Sequence, residues 1–226
     1  MNYFLECQKT IEAYGARPGA KRPRLLLHAC CAPCSSACLE FLREYFDTDV
    51  FYYDPNITDA AEYGKRKAEE LRLIEAYNRQ VESGCFSEGG FAMHSTAGAA
   101  RIGFLEAPYD PESFFAAAKG LEDCPEGGER CSACFALRLG KTAEAAARGG
   151  YDFFTTTLTI SPLKDADRLN RIGQATAEKY GTAFLPSDFK KKNGYLRSIE
   201  LSRQFGLYRQ NYCGCGFSKK GRENQA

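Results

Sequence analysis

Seven of the chain's eleven cysteines fall into three tight groups: Cys30, Cys31 and Cys34; Cys131 and Cys134; Cys213 and Cys215. This constrains the fold more than any other feature, because one multi-thiolate centre would force three distant segments to converge. Two groups fill a four-thiolate site. The third leaves ligands for an additional metal ion or a redox-active thiol pair, so the reading is an inorganic centre. In a reducing compartment, clustered cysteines serve as metal ligands or catalytic thiols rather than as structural disulfides, and an odd count excludes complete pairing. No basic stretch with an apolar core follows Met1, and no long apolar run is present. The expectation is a cytoplasmic protein without a membrane span.

A chain of 226 residues with 44% hydrophobic and 13% aromatic side chains can bury one medium domain. Residues 1–24 read as a short helical extension ending in a basic turn, and residues 219–226 as a tail. Between them, 25–218 reads as a single α/β domain. The pattern predicts strands at Leu25–His28, Val50–Tyr53, Arg101–Leu105, Tyr151–Thr157 and Thr182–Leu185. Helices are expected over Ser35–Tyr45, Thr58–Tyr77, Phe114–Lys119, the second cysteine group to Arg148, and Asp165–Tyr180. The Gly/Ser/Ala-rich 83–98 reads as a flexible insertion. Such alternation implies a mainly parallel, Rossmann-like sheet with helices on both faces. Ligands of such sheets sit beyond the C-terminal ends of strands, where the first cysteine group falls.

Each group also admits a plainer role. Cys30-Cys31-Ala32-Pro33-Cys34 lies between a strand and a helix, whose N-terminus favours thiolate. Cys30 and Cys31 can share a centre only in a bent loop, and otherwise they are buried small hydrophobes beside one reactive thiol. Cys131-Ser132-Ala133-Cys134 places two sulfurs on one helical face, with structural zinc, iron–sulfur and dithiol redox chemistry all open. Cys213-Gly214-Cys215 suits a close backbone approach to a cluster, or a surface tail. Seven thiols exceed the four that zinc needs, whereas a [4Fe–4S] cluster takes four and leaves three. Cys7 and Cys85 read as bystanders; Cys38 and Cys124 stand near the groups. The two histidines are His28 and His94, and His28 fits a catalytic group or a residue holding the cysteine loop.

A formal net charge of +1 excludes a globally basic protein, so a nucleic-acid site must be local. The best patch joins Lys190, Lys191, Lys192, Tyr195 and Arg197 to Tyr208, Arg209 and Tyr212, combining phosphate contacts with base stacking. It runs directly into the last cysteine pair; its plainer reading is a solvated loop and helix face. The loop after Leu27 contains no glycine, which disfavours an ATP-driven, tRNA-thiolating type of enzyme. A zinc-stabilised RNA-binding module and a dithiol oxidoreductase also remain open.

Several motifs in this order resemble the QueH-type epoxyqueuosine reductases. They are His28-Ala-Cys-Cys-Ala-Pro-Cys34, Tyr53-Asp-Pro-Asn-Ile57 with Glu62-Tyr-Gly-Lys-Arg66, and Arg130-Cys-Ser-Ala-Cys-Phe-Ala-Leu-Arg138. Thr155–Pro162, Asp188-Phe-Lys-Lys191 and Tyr208-Arg-Gln-Asn-Tyr-Cys-Gly-Cys215 follow. Asp54 and Thr58 depart from the asparagine and histidine of the family pattern, and 83–98 resembles an insertion in it. The resemblance implies a sheet like the nucleotide alpha-hydrolase-like (HUP) folds. It implies reductive removal of the epoxide oxygen from epoxyqueuosine at the tRNA wobble position. Electrons would come from a ferredoxin, flavodoxin or separate reductase. On this reading Cys30, Cys31, Cys131 and Cys134 hold most of a [4Fe–4S] cluster. Cys34, Cys213 and Cys215 hold or neighbour a second iron at the oxirane oxygen. Asp54 or Asp188 supplies a proton, although Asp188 equally suits a salt bridge to an arginine. Lys190, Lys191, Lys192, Arg197 and Arg209 meet the RNA.

Overall fold

The computed structural model describes residues 1–15, 21–86 and 98–223. His94 and most of the expected 83–98 insertion lie outside these residues, as does the end of the tail. The run Leu25-Leu26-Leu27 is fully buried at the centre of a four-stranded sheet, as a continuous apolar stretch dictates. The strands are β1 (Arg24–Ala29), β2 (Asp47–Tyr52), β3 (Gly103–Glu106) and β4 (Phe153–Thr156). Their order is β3-β2-β1-β4 and every pairing is parallel, with Leu27 beside Val50 on one side and Thr155 on the other. A fifth segment touches β4 at Phe184 alone. The strand expected over Thr182–Leu185 therefore shrinks to one bridge, because Pro186 has no N–H to extend the ladder.

Parallel strands need crossovers, and these are helices. α1 (Tyr3–Gly15) precedes β1, and α2 (Ala32–Leu42) joins β1 to β2. α3 (Ala60–Ser83) joins β2 to β3. α4 (Pro111–Ala118) and α5 (Glu129–Gly149) join β3 to β4, and α6 (Ala166–Tyr180), α7 (Gly194–Gln204) and α8 (Gly216–Glu223) complete the chain. Alternation along β1 assigns the two faces. Leu25 and Leu27 join a core with Cys7 of α1, Phe41 of α2, Leu73 of α3 and Leu201 of α7. Leu26 faces Leu139 of α5 and Leu169 of α6. The α6 backbone comes so close to the bridge strand that a Cβ at Gly173 would lie 2.5 Å from the Phe184 ring. α3 runs six residues past the expected Tyr77 to Ser83, with Asn78 capping the Ile102 backbone on both sides, and stops at Gly84 in the left-handed region.

The consequence for function lies in the strand order. The chain leaves β1 for β2 on one side, and returns from β3 across the sheet to β4 on the other. The loops that follow β1 and β4 therefore diverge, opening a crevice at their C-terminal ends.

Candidate metal centre

The crevice is where the first cysteine group lands. β1 ends at Ala29, Cys30 bends, and Cys31 takes an extended conformation (φ −171°, ψ 142°) as the N-cap of α2, with Pro33 in the first turn. The Cys31 carbonyl accepts from the amides of Cys34 and Ser35 at 3.0 Å each. The bend brings the Sγ atoms of Cys30 and Cys31 to 3.9 Å and those of Cys31 and Cys34 to 2.9 Å. All three sulfurs lie within 4.8 Å of one another, and no other group of three or more possible ligands converges this tightly among the described residues. The expected bent loop exists, and the same segment turns both neighbouring cysteines inward.

A cavity of about 340 Å³ opens over this loop, with Cys30, Cys34, Cys213, Arg138, Lys164 and Tyr212 in its wall. Cys131, Cys134, Cys213 and Cys215 are not part of this close group; Cys134 and Cys215 share an apolar cluster with Phe114 and Ala118. The Gly127 amide donates to Cys131 Sγ at 3.2 Å, and the Ser218 amide to Cys215 Sγ at 3.3 Å. Burial pushes Cys134 up to about 12 and Cys215 up to about 11. Cys30 is held well below the usual thiol range by hydrogen bonds from Cys31 and Cys34, with Arg138 and Lys164 adding to the effect. Cys31 is pushed correspondingly up by the same contacts.

Beneath the loop lies a buried polar triad. His28 has the parity of Leu26 on β1 and faces α5. There Arg138 Nε donates to its Nε2 at 3.2 Å, while Nδ1 pairs with Thr156 Oγ1 at 2.9 Å across the β1–β4 register. The Arg138 guanidinium also donates to Asp54. All three side chains are essentially inaccessible. Burial, reinforced by Arg138, lowers His28 to about 3, so its imidazole is neutral; burial raises Asp54 to about 7 against the pull of Arg138. Arg138 therefore supplies a fixed positive charge next to Cys30, Cys134 and Cys213. Lys164 supplies another: burial works against its charge, but Cys213, Cys30 and Cys34 hold its ammonium protonated.

The chemistry of the site is that of soft sulfur donors at a sheet switch point with cationic walls. The family model of epoxyqueuosine reductase QueH matches residues 25–221. The chain belongs to the QueH family. Relatives named epoxyqueuosine reductase QueH include that of Staphylococcus epidermidis, 39% identical over 220 residues, covering 96% of this chain and 84% of the relative. Those of Streptococcus pyogenes (39% over 199 residues, 88% and 71% covered) and Thermotoga maritima (32% over 194 residues, 86% and 89%) extend the match.

In this QueH family member the other expected site residues are distributed unevenly. Asp188 pairs with Lys190 Nζ at 2.9 Å, a lysine rather than the arginine expected. Lys191 and Lys192 are exposed. Arg209 is exposed, donates to Ser202 Oγ at 3.0 Å and joins the cavity wall with Tyr195. Arg197 turns inward onto Glu40 at 2.7 Å and also meets Glu200. Cys7 and Cys38 are part of the main apolar core, and Cys85 is exposed. The sequence pattern does not by itself single out Arg138 or Lys164. For Arg138 a signal existed: it follows Cys134 by four residues on α5, hence on the same face.

Proposed function

We propose that this QueH family protein is an epoxyqueuosine reductase, an oxidoreductase that acts on epoxyqueuosine in the anticodon of tRNA. The epoxide, two electrons and two protons give the alkene of queuosine and water. The observation that carries this reading is the convergence of the Cys30, Cys31 and Cys34 sulfurs at the crevice of a QueH-type chain. Buried, closely spaced thiolates are the donor set of iron–sulfur centres. Cys30, Cys31, Cys131 and Cys134 would hold a [4Fe–4S] cluster, with Cys34, Cys213 and Cys215 at an additional iron. A bound cluster supplies electrons one at a time, and an adjacent iron supplies Lewis acidity.

The chain's own groups do the rest. Arg138, fixed by Asp54 and neutral His28, offsets the negative charge of the thiolates without itself titrating. Lys164 projects a cation into the cavity where the opening epoxide develops charge on oxygen. Of the two acids considered as proton source, Asp188 is ion-paired with Lys190 beyond the bridge strand. Asp54 is held behind Arg138 and acts on the site through it. Tyr195 and Tyr212 offer faces for the base, while Lys191, Lys192 and Arg209 meet phosphates, with Lys190 and Arg197 supporting them from within. No described helix is long and apolar enough to cross a membrane. Electrons enter from a separate donor of the ferredoxin or flavodoxin type.

The test is anaerobic reconstitution with iron and sulfide, followed by incubation with epoxyqueuosine-containing tRNA and a low-potential reductant. Nucleoside mass spectrometry should show loss of one oxygen atom at the wobble position. A fully reconstituted protein that leaves the epoxide intact with every reductant tried would sink the assignment.

A further inference from the structure

The last cysteine pair reaches the site on a segment that belongs to no strand, between α7 and α8. One face of α3 holds it. Glu62, Lys65, Arg66, Glu69 and Arg72 recur at three- and four-residue steps and so share a side of the helix. Arg72 donates to the Phe205 carbonyl at 2.9 Å and to the Gly206 carbonyl at 3.0 Å. Glu69 accepts from the Tyr208 amide at 3.0 Å, Lys65 Nζ stands 3.3 Å from the centre of the Tyr208 ring, and the Tyr208 hydroxyl donates to Glu62 at 3.2 Å. Arg66, only 1% exposed, is oriented by Glu62 at 2.7 Å. Its remaining fork donates to the carbonyls of Cys213 at 3.3 Å and Tyr212 at 3.4 Å.

The loop before α3 completes the grip. Asn56 Nδ2 donates to the Cys213 carbonyl at 3.4 Å, and the Thr58 amide to the Gly214 carbonyl at 3.3 Å. Gly214 lies at φ +107°, and a Cβ there would come within 2.9 Å of Ile57 Cγ1 and 3.2 Å of Arg66 Nη1. Only glycine lets the chain close on the guanidinium at this point.

We propose that this charged face of α3 is a clamp that carries Cys213 and Cys215 to the metal centre, with Arg66 as its positioning residue. The inference rests on the metal-centre reading above for its purpose, though the clamp itself can be tested without metal. Most of the contacts are to main-chain atoms, so they fix where the two cysteines lie. A planar, bidentate guanidinium does this where the point charge of a lysine serves only in part.

The experiment is time-resolved iodoacetamide alkylation of reduced, metal-free protein, read cysteine by cysteine by mass spectrometry. Arg66→Gln should accelerate Cys213 and Cys215 roughly tenfold, the scale of one lost charge-assisted hydrogen bond at the low end of its range, and leave Cys31 and Cys134 unchanged. Arg66→Lys should recover part of the protection. After reconstitution, the iron content and visible spectrum of Arg66→Gln should match those of Cys213→Ser/Cys215→Ser rather than the wild type. Wild-type alkylation at Cys213 and Cys215 in Arg66→Gln overturns the clamp. Should Arg66→Gln accelerate every cysteine together, Glu69→Ala decides: acceleration confined to Cys213 and Cys215 supports the clamp, and no change there overturns it. If the wild type binds neither iron nor sulfide, the metal-centre reading fails while alkylation still judges the clamp.

Discussion

The loop from Cys30 to Cys34 and the arm carrying Cys213 and Cys215 bring sulfur to the same cavity by different physical means. The first follows from the fold: β1 ends at a switch point, α2 begins there, and two backbone amides bond to Cys31. It contains no charged side chain of its own, and the cations beside it, buried Arg138 and half-buried Lys164, are groups of the fold rather than exposed ones. The arm has no ladder, meets a helix only at its end, where the Cys215 carbonyl accepts from the Lys219 amide of α8, and is otherwise held by the Glu62–Arg72 face of α3. A site built this way has one rigid wall and one wall whose attachment is electrostatic. The rigid wall should therefore be insensitive to salt and the arm sensitive to it.

The largest expected effect tests the rigid wall. Cys31→Ala removes the sulfur that contacts both neighbours and should abolish iron and sulfide incorporation, along with turnover. Cys85→Ala, at an exposed site, should change neither. Metal and sulfide analysis after anaerobic reconstitution checks both. If Cys31→Ala incorporates wild-type iron and sulfide, the convergent triad is not the metal-binding wall.

Next in size is the support beneath that wall. Arg138→Ala leaves Asp54 buried without its cation and His28 without its donor. Removing one partner of a buried pair costs about 3–5 kcal/mol, measurable as a shift in urea midpoint. Asp54 already sits at about 7 because of burial, with Arg138 pulling it down. Losing Arg138 drives it higher, and protonation relieves the unpaired charge. The loss in Arg138→Ala should accordingly be smaller at pH 6 than at pH 8; equal losses would show that Asp54 is not the group left unpaired.

A third effect separates the α3 clamp face from that helix's buried face. Glu70 is inaccessible, and burial raises it from 4.5 to about 8, with the Ser35 hydroxyl pulling the other way. A carboxyl that binds its proton more tightly when folded stabilises fully below its unfolded pKa. That stability is lost as pH rises through the native value, so wild-type stability should decline between about 4.5 and 8 from this group. Glu70→Gln should flatten the decline and exceed the wild type in denaturant midpoint at pH 8. Parallel wild-type and variant profiles over that window would remove Glu70 as the cause.

Much of this division was legible in the sequence, and the illegible part has a common cause. Leu25-Leu26-Leu27 followed by a cysteine group specifies a buried strand ending at a site, and the structure agrees. The CxxC opening α5 is equally local. Helix α7 was hidden because its start, Lys192-Asn193-Gly194, carries two left-handed residues and a lysine run that reads as a basic loop. Arg66 and Arg138 lie within recognisable motifs that do not by themselves assign them a role. A buried arginine on an amphipathic helix has the same sequence signature as a solvated one, and only tertiary packing distinguishes them. The contacts that hold the arm are between α3 and main-chain atoms more than 130 residues away, and side-chain identity carries no record of a backbone partner.

The smallest expected effect asks how electrostatic the arm is. Lys65 contributes a cation–π contact with Tyr208 on a partly exposed surface, where such contacts are worth about 0.5–1 kcal/mol. Lys65→Ala should therefore raise the alkylation rate of Cys213 only about twofold to fivefold. Raising the salt from low concentration to about 1 M shrinks the Debye length to about 3 Å and should raise the wild-type Cys213 rate by a similar factor. Cys31, only 1% exposed, should show no salt dependence. A salt response shared by Cys213 and Cys31 would mean that both walls are held alike. A response at neither would mean that burial of Arg66, rather than the charge of the α3 face, secures the arm. Only a response confined to Cys213 and Cys215 makes the difference between the two walls one of electrostatics.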